Sequence, residues 1–331
     1  MVANFTQPYY KAQEAYRQAT TPEEVLAGLQ WMLTEIPKHK ASEKLQSELK
    51  QKISEAKKDV EKAKAAKKTG VGLKIPRQGA GRAVIIGGPN AGKSQLLKSL
   101  TRATPEVAPY PFTTREPQIG MMAFEDVNIQ LIDTPPITKD YLDPNVLGLM
   151  RGADVILLMV DLGADEGIDQ LQELLDRLKE GKTRLAKESY LDEEDLGVSY
   201  THTLLLLNKI DAEGATDRLA ILDEMIPLDL ERFMISAETG QGLDALRERI
   251  YRALDVVRVY TKSPSKKEAD YDKPYTIRRG GTLIEIAELV HKDLATNFKH
   301  ARVWSTSLQG VSTLKGDYVV HDKDVVEIHT Q

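Results

Sequence analysis

Residues 87–94 read Gly87-Gly88-Pro89-Asn90-Ala91-Gly92-Lys93-Ser94 and satisfy the pattern G-x-x-x-x-G-K-[ST]. Glycines at this spacing let backbone N–H groups curl around phosphate oxygens at the start of a helix, where the helix dipole also favours an anion. A lysine at this position neutralises β and γ phosphates, and a serine offers its hydroxyl to Mg²⁺. The context suits the motif, because an apolar run at 83–86 precedes it and the helical QLLKSL, beginning at Gln95, follows. A chance glycine-rich turn is the competing explanation. Three further stretches raise the weight of the first. Asn208-Lys209-Ile210-Asp211 follows the run LLLL, and a carboxylate there can accept from guanine N1 and the exocyclic amine, a donor pair that adenine lacks. Ser236-Ala237-Glu238 follows RFMI, where the Ala237 N–H can meet a base carbonyl. IQLIDTPPIT (129–138) delivers Asp133 at the end of an alternating strand, as a magnesium-phosphate site requires.

Those residues need a scaffold. Apolar strands at 83–86, 127–132, 155–160 and 203–207, separated by helical segments, predict a mostly parallel sheet with helices on both faces, in a unit spanning 79–255. Residues 176–200 read as a helix end and a surface excursion. Ahead of this unit, residues 8–68 read as helix. Thr21-Pro22-Glu23-Glu24 is a helix start, Pro37 a break, and Ser42-Glu43 a second start. Apolar stripes on the two segments (Val25, Leu29, Met32, Ile36; Leu45, Leu49, Ile53, Ala56, Val60, Ala63) predict an antiparallel hairpin within 1–70. After a polar linker at 261–274, a helix at 282–294 and strands at 301–304 and 325–328 predict a small α+β module over 256–331.

At 331 residues the chain fits two or three domains, and 41% apolar with 29% charged residues describes a globular protein. Net charge is −5, yet residues 38–68 carry eleven Lys against five acids, a local balance of +6. That asymmetry points to a polyanion such as RNA or equally to a solvated helix face. The absence of cysteine excludes disulfides and thiolate metal sites. No apolar run approaches the roughly 20 residues of a membrane span, so a cytoplasmic protein with no membrane partner is expected.

GGPNAGKS, Thr113-Thr114, DTPP at 133–136, NKID at 208–211 and SAETG at 236–240 resemble, in order, the five motifs of translation-factor-type GTPases. YPFTTREPQIG resembles the Obg-related branch, and PKHKASEKLQSELKQKI resembles the helical region of the developmentally regulated GTP-binding proteins within it. The stretch from VRVYTKSPSKK through VVHDKDVVEI resembles a TGS domain, a ubiquitin-like β-grasp module. The resemblance covers nearly the whole chain. It implies a P-loop NTPase G domain between a helical hairpin and a TGS domain, binding GTP/GDP, hydrolysing GTP slowly, and acting on the ribosome or structured RNA through residues 38–68 and the TGS domain. It implies nucleotide contacts from Gly87, Gly88, Pro89, Asn90, Ala91, Gly92, Lys93, Ser94, Gln95, Asn208, Lys209, Asp211, Ser236, Ala237 and Glu238. Mg²⁺ falls to Ser94 and Thr114, with Thr113 as the alternative to Thr114 and Asp133 acting through a water. Lys93, Thr114 and Asn90 take the catalytic roles. Asn90 matches an asparagine that holds K⁺ beside the phosphates in potassium-stimulated relatives, or is a plain turn former. Tyr110 and Phe112 would anchor the loop, and Arg115 faces either phosphate or solvent.

Two features depart from the pattern. The long insert that eukaryotic members carry between the third and fourth motifs is absent, so contacts ascribed to it do not transfer. In many GTPases the third motif is D-x-x-G followed by a water-orienting glutamine. Here Pro136 has no N–H for the γ phosphate and Ile137 replaces the glutamine. A slow hydrolase and a nucleotide-gated interaction module with negligible turnover are both compatible with that change. An ATPase is disfavoured by NKID.

Overall fold

The computed structural model describes residues 5–19, 21–37, 42–66, 75–101, 106–107, 117–181, 183–192, 198–266, 268–305 and 310–331, with side chains on the third helix as far as Glu61. The chain opens with helices α1 (Gln7–Gln18), α2 (Pro22–Glu35) and α3 (Glu43–Ala66). Where two helices were expected, three form. Thr21 is the reason for the extra boundary. Its side chain accepts from the Glu24 N–H at 3.2 Å while Glu24 accepts from the Thr21 N–H at 3.2 Å, so a capping box starts α2 afresh behind α1. Leu29, Met32 and Ile36 of the first stripe meet Leu49, Ile53 and Ala56 of the second, as the hairpin requires, and Tyr9, Ala12 and Tyr16 of α1 complete that core.

The central sheet runs through β1 (Arg82–Gly87), β2 (Glu106–Val107), β3 (Gln118–Phe124), β4 (Val127–Asp133), β5 (Val155–Asp161), β6 (Thr183–Ala186), β7 (Tyr190–Leu191), β8 (Ser199–Asn208) and β9 (Glu231–Met234). Among the described residues it has nine strands, in the path β2-β3-β4-β1-β5-β8-β6, with β7 and β9 also pairing to β8. The β1, β4, β5, β8 and β9 pairings are parallel, whereas β2-β3-β4 and β7 pair antiparallel. The 176–200 stretch is therefore more regular than expected. Its two short strands add to the N-terminal half of β8, which begins four residues before the apolar run that marked it. Strands β1 and β5 are buried at every position, which is why they read as unbroken apolar runs.

Helices α4 (Lys93–Leu100), α5 (Pro144–Arg151), α6 (Glu166–Glu180), α7 (Ala215–Met225) and α8 (Leu243–Ala253) cover the sheet. One core contains Ile168, Leu171, Leu174 and Leu178 of α6 together with Val84 and Ile156; the other contains Leu96 and Leu97 of α4 with Leu246 and Ile250 of α8. The second sheet comprises β10 (Val256–Thr261), β11 (Asp270–Arg278), β12 (Phe298–Ser305), β13 (Gly310–Leu314) and β14 (Asp324–Thr330). Its order is β11-β10-β14-β12-β13, with β10 and β14 parallel. Helix α9 (Leu283–Val290) packs on one face through Leu283, Ile286 and Ala287, and α10 (Lys292–Thr296) follows it. Part of the expected linker is thus the strand β11.

Candidate nucleotide site

Strand β1 ends in the phosphate loop and α4 begins at Lys93, so the loop sits at the C-terminal edge of a parallel sheet. Its backbone is set by side-chain absence. A Cβ on Gly87 would stand 2.7 Å from the Met159 carbonyl, and Gly92 has φ +94° with a Cβ position 2.4 Å from Asn208 Nδ2. Asn90 is exposed with φ 56°, a left-handed conformation that asparagine tolerates. Buried Lys93 reaches back over the loop, its Nζ donating to the Gly88 carbonyl at 2.7 Å and the Gly87 carbonyl at 3.2 Å.

Across the loop, β4 delivers Asp133. Ser94 Oγ donates to Asp133 Oδ2 at 2.5 Å, and Asp133 Oδ1 is buried without a protein partner. Burial pushes the Asp133 carboxyl above the usual range, while the Ser94 hydrogen bond and the Lys93 charge pull the other way. A hydroxyl beside a buried carboxylate with an unused oxygen is a hard-oxygen donor set that fits Mg²⁺, which takes few protein ligands and completes its shell with phosphate and water. Among the described residues no group of three or more His, Cys, Asp or Glu could hold a metal alone. Thr113 and Thr114, with Tyr110, Phe112 and Arg115, lie outside the described residues.

The stretch after Asp133 is held by its backbone. Thr134 donates through Oγ1 to the Ile85 carbonyl at 2.9 Å, and the Ile137 N–H donates to the Gly87 carbonyl at 3.2 Å. Ile137 is 1% exposed and belongs to the sheet core. Its side chain therefore packs inward, leaving no polar group at the position where a glutamine is usual.

The remaining motifs join on Asn208. Its Nδ2 donates to the Ala91 carbonyl at 2.8 Å, and its Oδ1 accepts from the Ala237 N–H at 2.9 Å, so one buried amide ties the phosphate loop to the Ser236–Glu238 turn. The Ala237 N–H expected to meet a base carbonyl is engaged by this amide instead, because the turn is closed onto the end of β8. Ser236 shapes the same turn by accepting from the Thr239 N–H at 3.1 Å. Lys209, at φ 63°, places Nζ 2.6 Å from Asp161 Oδ2, and Asp161 Oδ1 accepts from the Gly163 N–H at 2.7 Å. Asp161 escaped the motif reading; its only trace in the sequence is a carboxylate at the end of an apolar strand. Asp211 and Glu238 are exposed, and Gln95 is half-buried behind Ser94. The structure thus brings together residues 87–95, Asp133, 208–211 and 236–238 along one sheet edge.

The chain is similar to known proteins in two regions and along most of its length. The family described as 50S ribosome-binding GTPase matches residues 82–190, and the TGS domain family matches residues 257–330. A GTP-binding protein of Methanocaldococcus jannaschii is 27% identical, covering 92% of this chain and 92% of its own length. The Developmentally-regulated GTP-binding protein 2 homolog of Dictyostelium discoideum is 29% identical, covering 88% and 94%. Developmentally-regulated G-protein 2 of Arabidopsis thaliana is 28% identical, covering 88% and 87%. A crystal structure of a GTP binding protein from Pyrococcus horikoshii superposes with a TM-score of 0.46 at 16% identity, over 76% of this chain and 100% of that one. With four of the five motifs gathered on one sheet edge among the described residues, a GTPase domain followed by a TGS domain, and relatives aligned over most of both chains, this chain belongs to the developmentally regulated GTP-binding proteins.

Proposed function

We propose that the protein hydrolyses GTP slowly in the cytoplasm and acts as a switch on the ribosome or structured RNA. The observation that carries the reading is the Ser94–Asp133 pair with the unused Asp133 oxygen, set beside Lys93 at the mouth of the phosphate loop. Ser94 and Asp133, with Thr114, would hold Mg²⁺, which when bound neutralises charge on the β and γ phosphates. Lys93 exchanges loop carbonyls for phosphate oxygens, a stronger charge-assisted bond. The backbone of residues 87–92 and Gln95 cradles the phosphates. Asp211 selects guanine by accepting two N–H donors, with Lys209, Ser236, Ala237 and Glu238 framing the base. Asn90 is assigned to K⁺.

Pro136 withholds one N–H from the γ phosphate and Ile137 is packed away, so little in the described residues orients the attacking water. A low intrinsic rate follows, and a partner or K⁺ that supplies charge should raise it by something on the order of the 10³–10⁵-fold credited to an inserted arginine. Sensing of the γ phosphate then rests on Thr114. If Thr114→Ala preserves the conformational difference between the GTP and GDP forms while Pro136→Gly alters it, that assignment is wrong.

The family description, 50S ribosome-binding GTPase, and the lysines of 38–68 support the ribosome as partner. Lys38, Lys40, Lys67 and Lys68 lie outside the described residues, as do the side chains of Lys62 and Lys64, whereas Lys57 and Lys58 are exposed on α3. Residues 1–70, 79–255 and 256–331 are taken as the three units of the switch. Among the described residues no helix is long and apolar enough to cross a membrane. Single-turnover GTP hydrolysis with and without K⁺ and ribosomes is the deciding measurement. Stimulation by either supports the switch; turnover absent under all conditions favours the second reading, a nucleotide-gated interaction module, which the buried Ile137 also suits. Asp211→Asn should move preference toward xanthosine nucleotides, and unaltered GTP preference in that variant would sink the guanine assignment.

A further inference from the structure

We propose that the face of the five-stranded sheet opposite α9, along β12 and β14, binds single-stranded nucleic acid through Lys262, His300, Arg302, Trp304 and His329. The proposal rests on the reading above that the partner carries RNA, and it names the surface and the kind of strand that surface takes. Along β12, Ala301 and Val303 are fully buried under α9, so His300, Arg302 and Trp304 occupy the opposite face at alternate positions, about 6.6 Å apart in sequence order. The β14 partners of His300 and Arg302 are His329 and Glu327. Lys262 reaches the same face from the end of β10.

A merely solvated outer face needs neither a tryptophan nor a buried acid. This one has both. The Glu327 side chain is 4% exposed, held by Lys262, by His329 Nε2 at 2.8 Å and by Arg302 at 3.7 Å. The Lys262 hydrogen bond, more than any other contact, keeps the Glu327 carboxyl below its usual range. The acid is thus covered by the cations it positions. Lys262 Nζ stands 5.1 Å and the Arg302 guanidinium 5.7 Å from the centre of the Trp304 ring. The imidazoles of His300 and His329 stack with centroids 4.8 Å apart and planes 11° from parallel. Arg302 remains 49% exposed.

The face therefore offers flat groups at successive steps beside a net positive charge. Unpaired bases stack on aromatic rings and guanidinium planes with little regard to sequence, and phosphates take charge-assisted bonds from arginine. A duplex hides its base faces. An acidic peptide would satisfy the charges but has no use for parallel rings.

The test uses the full-length chain carrying Trp31→Phe, which leaves Trp304 as the one tryptophan, since the sequence holds two. A single-stranded oligoadenylate should change Trp304 emission in a salt-dependent titration. Arg302→Glu and the double variant His300→Ala/His329→Ala should each weaken binding about tenfold or more, as loss of a stacked base predicts. Arg302→Lys should keep the salt dependence and lose affinity, because it retains charge but not the plane. Binding of a fluorescent GTP analogue should be the same in all of them, which also reports that they fold. The proposal is overturned by unchanged emission, by a duplex or polyglutamate that binds as tightly, or by parent-like affinity in Arg302→Glu. Failure of the ribosome reading looks different: oligoadenylate binds through this face while ribosomes neither sediment with the protein nor stimulate turnover.

Discussion

Asn208 and Asp133 show how one side chain can decide the state of the site. Truncating Asn208 to Ala strands the Ala91 carbonyl and the Ala237 N–H, both buried, at about 1–3 kcal/mol each if water does not enter. Thermal unfolding of the Asn208→Ala protein should fall accordingly, and nucleotide affinity should fall with it, because the base turn is no longer pinned to the phosphate loop. Asp133→Asn should act oppositely on stability. The Asp133 carboxyl is pushed up by burial, so its stability contribution is present below its ordinary pKa and lost as pH rises through the higher folded value. At neutral pH the neutral amide removes that penalty, so the nucleotide-free variant should melt no lower than the parent. Its nucleotide affinity should nevertheless lose its response to Mg²⁺. A variant that melts well below the parent at pH 7, or that retains the Mg²⁺ response, contradicts this account. Motif spacing made both residues visible in the sequence, since each follows an apolar strand. Their partners were not visible, because spacing along a chain carries no information about which loop another loop meets. Ile137 was noticed as the wrong residue for orienting water, yet only the structure shows it packed into the sheet core.

At the scale of elements, local chemistry was a good guide wherever it acted alone. Thr21-Pro22-Glu23-Glu24 announced a helix start, which the structure builds as a capping box; Thr21→Ala should cost about 1 kcal/mol, read as a lower unfolding midpoint in denaturant. Strands β1 and β5 were legible because burial on both faces leaves their interiors, 83–86 and 155–160, wholly apolar. Where tertiary pairing made the element, the sequence was silent. Strand β6 carries Thr183 and Arg184, β7 is two residues long, and both exist because β8 extends beyond its apolar half to receive them. Strand β11, with Asp270, Asp272 and Lys273, is similarly recruited from a polar stretch by β10. Helix α1 hid within a longer helical composition because nothing but the capping box behind it marks its end.

In the whole molecule, two charged nodes hold the helical bundle, the central sheet and the TGS sheet together. Asp154, just before β5, meets Arg77, the Arg82 N–H at 2.8 Å, Gln18 of α1 at 3.1 Å and Arg278 of β11 at 3.0 Å. Glu14 of α1 adds a contact to Arg278 at 2.6 Å. At the second node, Arg258 of β10 is buried between Asp322 at 2.7 Å and the β3–β4 turn, where it meets Glu125 and, at 2.9 Å, Asp126. That turn caps the strand pair leading to Asp133, so the TGS sheet is fastened to an arm of the nucleotide site. Burial raises the carboxyls of Glu14, Asp126 and Asp322. The hydrogen bonds and charges of Arg17 for Glu14, Tyr260 and Arg258 for Asp126, and Arg258 for Asp322 outweigh it, leaving all three below their ordinary values of 4.5, 3.8 and 3.8. A depressed folded pKa contributes stability that is complete above the ordinary value and is lost as pH falls through the folded one. The Glu14 contact should therefore hold unchanged from neutral pH down to about 4.5 and the Arg258 node down to about 3.8, each loosening below that point. Arg258→Ala should reproduce half of that effect at neutral pH. Removing a buried cation from three carboxylates costs up to about 3–5 kcal/mol, less here because those carboxylates are partly exposed. Small-angle scattering provides the check: the radius of gyration of Arg258→Ala should exceed that of the parent at pH 7, and the parent should expand toward it below pH 4 while far-ultraviolet circular dichroism still reports folded helices. Equal radii at pH 7 would show that the TGS sheet is held by something other than Arg258. Expansion of the parent that begins well above pH 4.5 would implicate groups outside both nodes.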